Sequence, residues 1–159
     1  MKHESRVIVQ EQPFDFTKEY SRLKSASMEV GAVSVFIGTV RDLNDGDEVV
    51  GLKLEHYPGM TEKEVSKIID EADERWDIIA ATVIHRIGHL APGDEIVFVG
   101  VSSQHRSDAF QACEFIMDYL KTKATIWKKE TVVEGERWLK ARQSDIDVAN
   151  RWRVIESAD

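Results

Sequence analysis

Hydrophobic residues recur along this chain with two periods, and each period predicts one kind of element. Alternating apolar and polar residues are typical of strands, whereas spacings of three and four residues are typical of helices. Val50, Leu52 and Leu54 share one face of a predicted strand, opposite Lys53 and Glu55. Similar apolar segments complete the set of predicted strands, which are Arg6–Gln10, Gly31–Arg41, Val50–Tyr57, Ile78–Ile87 and Glu95–Ser102.

Turn-forming residues separate these strands. The cluster Asn44–Asp47 lies between the second and third strands, so we predict that these two strands form a hairpin. Pro92, Gly93 and Asp94 connect the last two strands. Pro58 and Gly59 end the third strand and mark the approach to a helix.

Helical spacing predicts a short first helix over Phe14–Leu23, with Asp15 or Thr17 near its start. At the start of the second predicted helix, Thr61 and Glu64 have the spacing of a capping box. Its apolar face then comprises Val65, Ile68, Ile69, Ala72 and Trp76. The third is predicted from His105 to Lys121, with a core stripe of Ala109, Cys113, Ile116 and Leu120.

A fourth helix is predicted near Ser144–Arg153, after a segment containing Trp127 and Trp138 that receives no element. Helices that alternate with pairs of strands indicate an α+β fold with a largely antiparallel sheet. We find no repeat or linker, so we expect one domain over residues 1–159, with its core at about 6–152.

Composition indicates which class of protein this is and in which compartment it functions. Hydrophobic residues make up 42% of the chain, enough for a sizeable core. No apolar run approaches the roughly 20 residues that span a bilayer, so we expect no membrane association. We also expect no secretory signal at Met1–Arg6. The single cysteine, Cys113, fits a reducing compartment, most simply the cytoplasm.

Charge is unevenly distributed. The net charge of −8 argues against nucleic-acid binding, which demands a basic surface. Residues 121–142 nevertheless contain seven Lys or Arg against three Glu, a net of +4, so the other residues carry −12. This basic segment indicates either a local anion site or an ordinary solvated, lysine-rich surface.

Several side chains are candidates for chemistry. Cys113 lies on an apolar helical stripe, which favours inert packing over sulfur chemistry. Gly88 separates His85 from His89, so we expect no metal site there, and nothing in the sequence calls for a cofactor. Arg41, at a strand end, can bind a phosphate or pair with a nearby aspartate.

Cations flank both ends of the third predicted helix. His105 and Arg106 lie at its start, where the helix dipole disfavours positive charge. A placement that is unfavourable for stability favours a functional role for these two residues. Lys121 ends it, and a continued helix would return Lys128 to nearly the same side seven residues later. The ring of Trp127 could then form the floor of a pocket for a planar ligand. By themselves these residues support only a site for a small anion.

Several stretches together resemble the large subunit of molybdopterin synthase, the MoaE family. The stretches, which span roughly residues 6–152, are FIGTVR (36–41), LEHYPGMT (54–61), VIHRIG (83–88), PGDEIVFVGV (92–101), HRS (105–107), FIMDYLK (115–121) and IWK (126–128). The resemblance implies an α/β hammerhead fold and a homodimer within a heterotetramer. The implied partner is a small ubiquitin-like subunit of the MoaD family, whose Gly-Gly tail ends in a thiocarboxylate. The implied substrate is cyclic pyranopterin monophosphate, which receives two sulfurs to form the dithiolene of molybdopterin.

The resemblance also implies a set of site residues. Lys121 and Lys128 are the expected catalytic residues, with His105 and Arg106 contributed from the other protomer. The expected substrate-binding residues are Thr39, Val40, Arg41, His105, Arg106, Lys121, Lys128, Lys129, Glu130 and Arg142. The chain departs from the family at Thr125, where a proline is common, so we expect a less rigid turn before Lys128.

Two other functions stay open on the residues alone. A lysine of the basic segment could form a Schiff base with a sugar phosphate. Alternatively, the chain could be a non-catalytic module that binds the carboxylate tail of a ubiquitin-like protein.

Overall fold

The computed structural model describes residues 3–44, 47–132, 135–139 and 143–157. These residues form strands and helices in the order β1 (Glu4–Gln10), α1 (Phe16–Ser25), β2 (Ala32–Thr39), β3 (Leu43–Asn44), β4 (Asp47–His56), α2 (Met60–Arg75), β5 (Ala80–Arg86), β6 (Gly88–Leu90), β7 (Glu95–Ser103), α3 (Arg106–Lys123), β8 (Ile126–Val132), β9 (Gly135–Leu139) and α4 (Gln143–Ser157). The predicted α+β class is confirmed.

The first sheet has the strand order β1-β5-β7-β2. β1 runs parallel to β5, and the other pairs are antiparallel. The predicted hairpin between the second and third strands is wrong, because β2 pairs with β7 in this sheet whereas β4 belongs to the second sheet. Alternation specifies which face of a strand is apolar, but it does not specify the partner strand.

The second sheet has the order β3-β4-β8-β9, and β6 also pairs with β4. Its short β3 pairs with the start of β4, where Asn44 lies opposite Asp47. The segment around Trp127 and Trp138, for which the sequence predicted no element, forms the antiparallel pair β8–β9. Of the basic segment, this sheet carries Lys128, Lys129 and Arg137, whereas Lys121 and Lys123 lie on α3.

The capping box of α2 lies two residues earlier than predicted. Gly59 is the N-cap residue, and the Glu62 carboxylate accepts a hydrogen bond from Gly59 N–H (2.6 Å). The prediction of a capping box at Thr61 and Glu64 is therefore wrong. Both side chains are used instead in contacts with Thr125, 64 and 61 residues away.

α3 packs its apolar stripe into the core and ends at Lys123, after which Ala124 is extended. Lys128 consequently lies on a strand, and the helical continuation that would align it with Lys121 does not occur. α4 packs on α3 through Trp152, whose Nε1 donates to Asp118 Oδ2 (2.8 Å). In the described part of the chain, no helix combines the length and apolar character needed to span a bilayer.

Candidate functional site

Lys121 projects from the last turn of α3 beside the C-terminal helix. Its side chain is partly exposed, and its Nζ lies 3.8 Å from Asp145 Oδ1 on α4. Trp152 fixes α4 to α3 by packing edge-on against Phe115 and by its hydrogen bond to Asp118. The α3–α4 contact therefore places one carboxylate next to this lysine.

Lys128 lies on the core-facing side of β8. It is directly opposite Leu54 of β4, and residues opposite each other in an antiparallel pair share a face. Leu54 is 1% exposed, and Ile126, on the same face, packs against the core. The side chain of Lys128 therefore leaves β8 on the face that packs against the core.

His85, at the end of β5, is buried close to this lysine. Burial lowers the pKa of the His85 imidazole to about 4, against the opposing effect of the hydrogen bond between its Nδ1 and Arg86 O (2.8 Å). Electrostatic repulsion from the neighbouring Lys128 and His56 lowers the pKa of His85 further. A neutral imidazole therefore borders the Lys128 region at neutral pH.

Thr125, between α3 and β8, is held by side chains of α2. Its N–H and its hydroxyl donate to Glu64 Oε2 at 2.9 and 3.2 Å, and its carbonyl accepts from the Thr61 hydroxyl at 2.9 Å. The sequence predicted a less rigid turn here because a proline is lacking. The structure instead shows a turn fixed by hydrogen bonds.

The opposite face of β8 carries Trp127 and Lys129. Trp127 is 47% exposed, and Lys129 Nζ lies 5.2 Å from the ring centroid of Trp138 on β9. Neighbouring residues of a strand point to opposite faces, so Trp127 does not form the floor of a pocket for Lys128. Glu130, which the sequence also predicted to bind substrate, follows Lys129 on β8 and lies opposite Leu52 of β4 in the strand register.

Thr39, Val40 and Arg41 lie where β2 leaves the first sheet. Val40 is buried and fixed at both backbone groups, since its N–H donates to Asp94 O (2.9 Å) and its carbonyl accepts from Gly93 N–H (2.8 Å). Thr39 and Arg41 are exposed. Arg41 borders an open cavity of about 580 Å³, whose lining residues are Val40, Arg41, Asp42, Pro92 and Gly93.

His105 and Arg106 lie at the opposite end of α3 from Lys121. His105 is the N-cap residue, Arg106 is the first helical residue, and both are exposed. Lys121 is fifteen positions after Arg106, which corresponds to about 22 Å along a helix. A single chain therefore does not bring these two cationic groups to one cleft.

Cys113 is packed in the core, as predicted. Burial raises the pKa of its thiol to about 11, and its Sγ donates to Val99 O at 3.6 Å. Among the described residues, no group of three or more His, Cys, Asp or Glu side chains is placed to hold a metal ion.

The sequence matches the model of the MoaE protein family over residues 9–123. The chain belongs to the MoaE family. It is 57% identical to the molybdopterin synthase catalytic subunit of Escherichia coli (strain K12) over 149 residues, which cover 94% of this chain and 99% of that protein.

Solved structures of this family share the fold. A molybdopterin biosynthesis MoaE protein from Burkholderia ambifaria MC40-6 superimposes with a TM-score of 0.81 at 47% identity, covering 93% of this chain and 97% of that chain. A molybdopterin synthase from Staphylococcus aureus gives a TM-score of 0.78 at 34% identity, covering 84% and 96%.

The structure of this MoaE family member divides the predicted site residues into three places. Lys121 and Lys128 flank the α3–β8 connection, Thr39–Arg41 lie at the end of β2, and His105 and Arg106 lie at the far end of α3. Arg142 falls outside the described residues. Sequence reasoning missed Glu64, Thr61 and Asp145 as neighbours of the site, since their contacts join residues far apart in the chain and leave no local pattern.

Proposed function

We propose that this chain is the catalytic subunit of a molybdopterin synthase and acts as a sulfurtransferase in molybdenum cofactor biosynthesis. The observation that carries this proposal is the 57% identity, over nearly the whole of both chains, with the Escherichia coli catalytic subunit. The two lysines beside the α3–β8 connection support it, since both reactants in the proposed transfer are anionic.

The sulfur donor in this proposal is a small ubiquitin-like partner of the MoaD family with a C-terminal thiocarboxylate. The acceptor is cyclic pyranopterin monophosphate. Cys113 is buried, and burial raises the pKa of its thiol so that it stays protonated, which supports a sulfur source outside this chain. We place the reaction in the cytoplasm.

The proposed transfer has two steps. The thiocarboxylate sulfur attacks an oxygen-bearing carbon of the substrate, and the C–O bond at that carbon breaks as the C–S bond forms. The released oxygen takes up a proton, and the tail is now linked to the pterin through a thioester. Water then cleaves the acyl C–S bond, which leaves sulfur on the pterin and a carboxylate on the tail, and a second donor repeats the sequence. Lys121 stabilises the negative charge of the tail carboxyl group during both steps, and Lys128 or His105 transfers protons.

A second copy of the chain completes the site in this proposal. His105 and Arg106 are about 22 Å from Lys121 along α3, a separation too large for shared contact with one small substrate. In a homodimer, these two residues of one protomer reach the Lys121–Lys128 region of the other. One donor subunit on each protomer then gives a heterotetramer.

The direct test mixes the purified chain with thiocarboxylated partner and cyclic pyranopterin monophosphate, then measures molybdopterin. We expect turnover with the wild-type chain and a loss of about 100- to 1,000-fold in kcat for Lys121→Ala. Lys67→Ala, which removes an exposed lysine from α2, is the control and retains activity. An inactive wild-type chain, or a fully active Lys121→Ala variant, contradicts the proposal.

Complementation tests the shared site. Lys121→Ala and Arg106→Ala are each expected to be inactive, and their mixed dimer contains one site free of both substitutions. After subunit exchange, we expect about a quarter of wild-type activity from a random mixture of symmetric dimers. No recovery, with mixed dimers demonstrated, places Arg106 in the site of its own chain.

A further inference from the structure

Thr125 occupies the centre of the only covalent connection between α3 and β8. Ala124 is extended, with φ −76° and ψ 140°, and Ile126 N–H donates to Ala124 O at 2.9 Å. That bond closes a three-residue γ-turn around Thr125. Lys121 precedes Thr125 by four residues and Lys128 follows it by three, so the turn determines how the two lysines are placed relative to each other.

Two side chains of α2, Glu64 and Thr61, hold this turn by hydrogen bonds. Thr125 has two donors, its N–H and its hydroxyl, and both are directed at Glu64 Oε2. The Thr61 hydroxyl donates to Thr125 O, and Thr61 Oγ1 accepts from Tyr57 N–H at 3.1 Å. Thr61 Oγ1 also lies 3.1 Å from Thr125 Oγ1, a contact in which either hydroxyl can be the donor. Thr61 is fully buried, which excludes water as a competing partner for its hydroxyl.

We propose that Glu64 is a positioning residue for sulfur transfer, acting through Thr125 to fix the geometry between Lys121 and Lys128. This inference rests on the proposed function. A carboxylate that accepts two hydrogen bonds holds its donors more firmly than a neutral acceptor does. Without Glu64, Thr125 N–H loses its partner, the turn relaxes, and the two lysines lose their common orientation toward the reacting atoms.

The test is a double-mutant cycle in which the second position removes the donor. Proline at 125 has no N–H, and the observed ψ of 140° at Ala124 is the conformation that precedes proline, so the residue before the substitution already fits it. Steady-state kcat and KM are measured for Glu64→Ala, Thr125→Pro and the double variant. Glu74→Ala, which removes an exposed carboxylate from the same helix, is the charge control.

We expect Glu64→Ala to lower kcat by about 10- to 100-fold while KM for the pterin changes less than about threefold, since misplacement of catalytic groups affects turnover more than binding. In the Thr125→Pro background, Glu64→Ala should have no further effect on kcat, because its donor is already gone. Thr125→Ser, which keeps both donors, should retain wild-type kcat, and Glu74→Ala should do the same.

Two results overturn the inference. One is wild-type kcat in a folded Glu64→Ala variant, and the other is an equal loss from Glu64→Ala in both backgrounds. Should Glu64→Ala fail to fold, the same cycle is run with Glu64→Gln, which keeps the size of the side chain and removes its charge. An inactive wild-type chain instead contradicts the proposed function, so the two failures are distinguishable.

Discussion

Lys128 lies directly opposite Leu54 in the β8–β4 pair, and Leu54 is almost completely buried. The next residue, Lys129, lies opposite Lys53 and therefore belongs to the other face, where its ammonium group contacts Trp138. Two adjacent lysines thus have different surroundings. Lys128 lies on the core-facing side of β8 near His85, and Lys129 lies on the outer face of the sheet.

This difference predicts unequal effects of the two lysines. Lys128→Ala should lower kcat by about 100-fold or more, the contribution expected of a positioned proton-transfer group. Lys129→Ala removes the same charge from the outer face and should reduce kcat much less. The measurement is steady-state molybdopterin formation, with circular dichroism to verify folding. Equal losses for the two variants would show that strand face does not decide their roles.

His85 predicts a pH dependence of stability. Its folded-state pKa of about 4 lies below the unfolded value of about 6.5, so the unfolded state binds more protons between these pH values. Stability should therefore fall as the pH falls from about 6.5 to about 4, by on the order of 3 kcal/mol for this group at the lower limit. Urea unfolding at several pH values measures the slope.

The control for this prediction is an exposed histidine. His85→Gln removes the titrating group, so its free energy of unfolding should depend less on pH across this range. His89→Gln, at an exposed position of β6, should keep the wild-type slope. An unchanged slope in His85→Gln would assign the pH dependence to other groups.

Cys113 predicts that catalysis does not use a thiol of this chain. Its thiol is protonated at neutral pH and shielded by the core, so iodoacetamide should label it only after unfolding. Cys113→Ala should keep full kcat and lose about 1 kcal/mol of stability through the missing sulfur atom. Mass spectrometry of the alkylated native protein and a turnover assay measure both. Loss of activity in a folded Cys113→Ala variant would contradict this prediction.

The helices and most of the strands could be predicted from the local pattern of apolar residues. The apolar stripe that includes Cys113 and Ile116 predicted both the third helix and the burial of the thiol, because helical period and burial are the same local signal. The resemblance over nearly the whole chain was likewise sufficient to indicate the family. Lys121 and Lys128 could be named as candidates from the basic segment in which they occur.

The pairing of strands and the contacts between distant side chains became visible only in the folded chain. Alternation did not show that β2 pairs with β7, nor that Lys128 turns toward the core while Trp127 turns away. Glu64 had the spacing of a capping residue, yet its carboxylate binds Thr125, 61 residues further along the chain. Local periodicity shows which face of a helix or strand is apolar. Contacts between distant segments depend instead on how the whole core packs. The hydrogen bonds at Thr125 were not predicted for this reason.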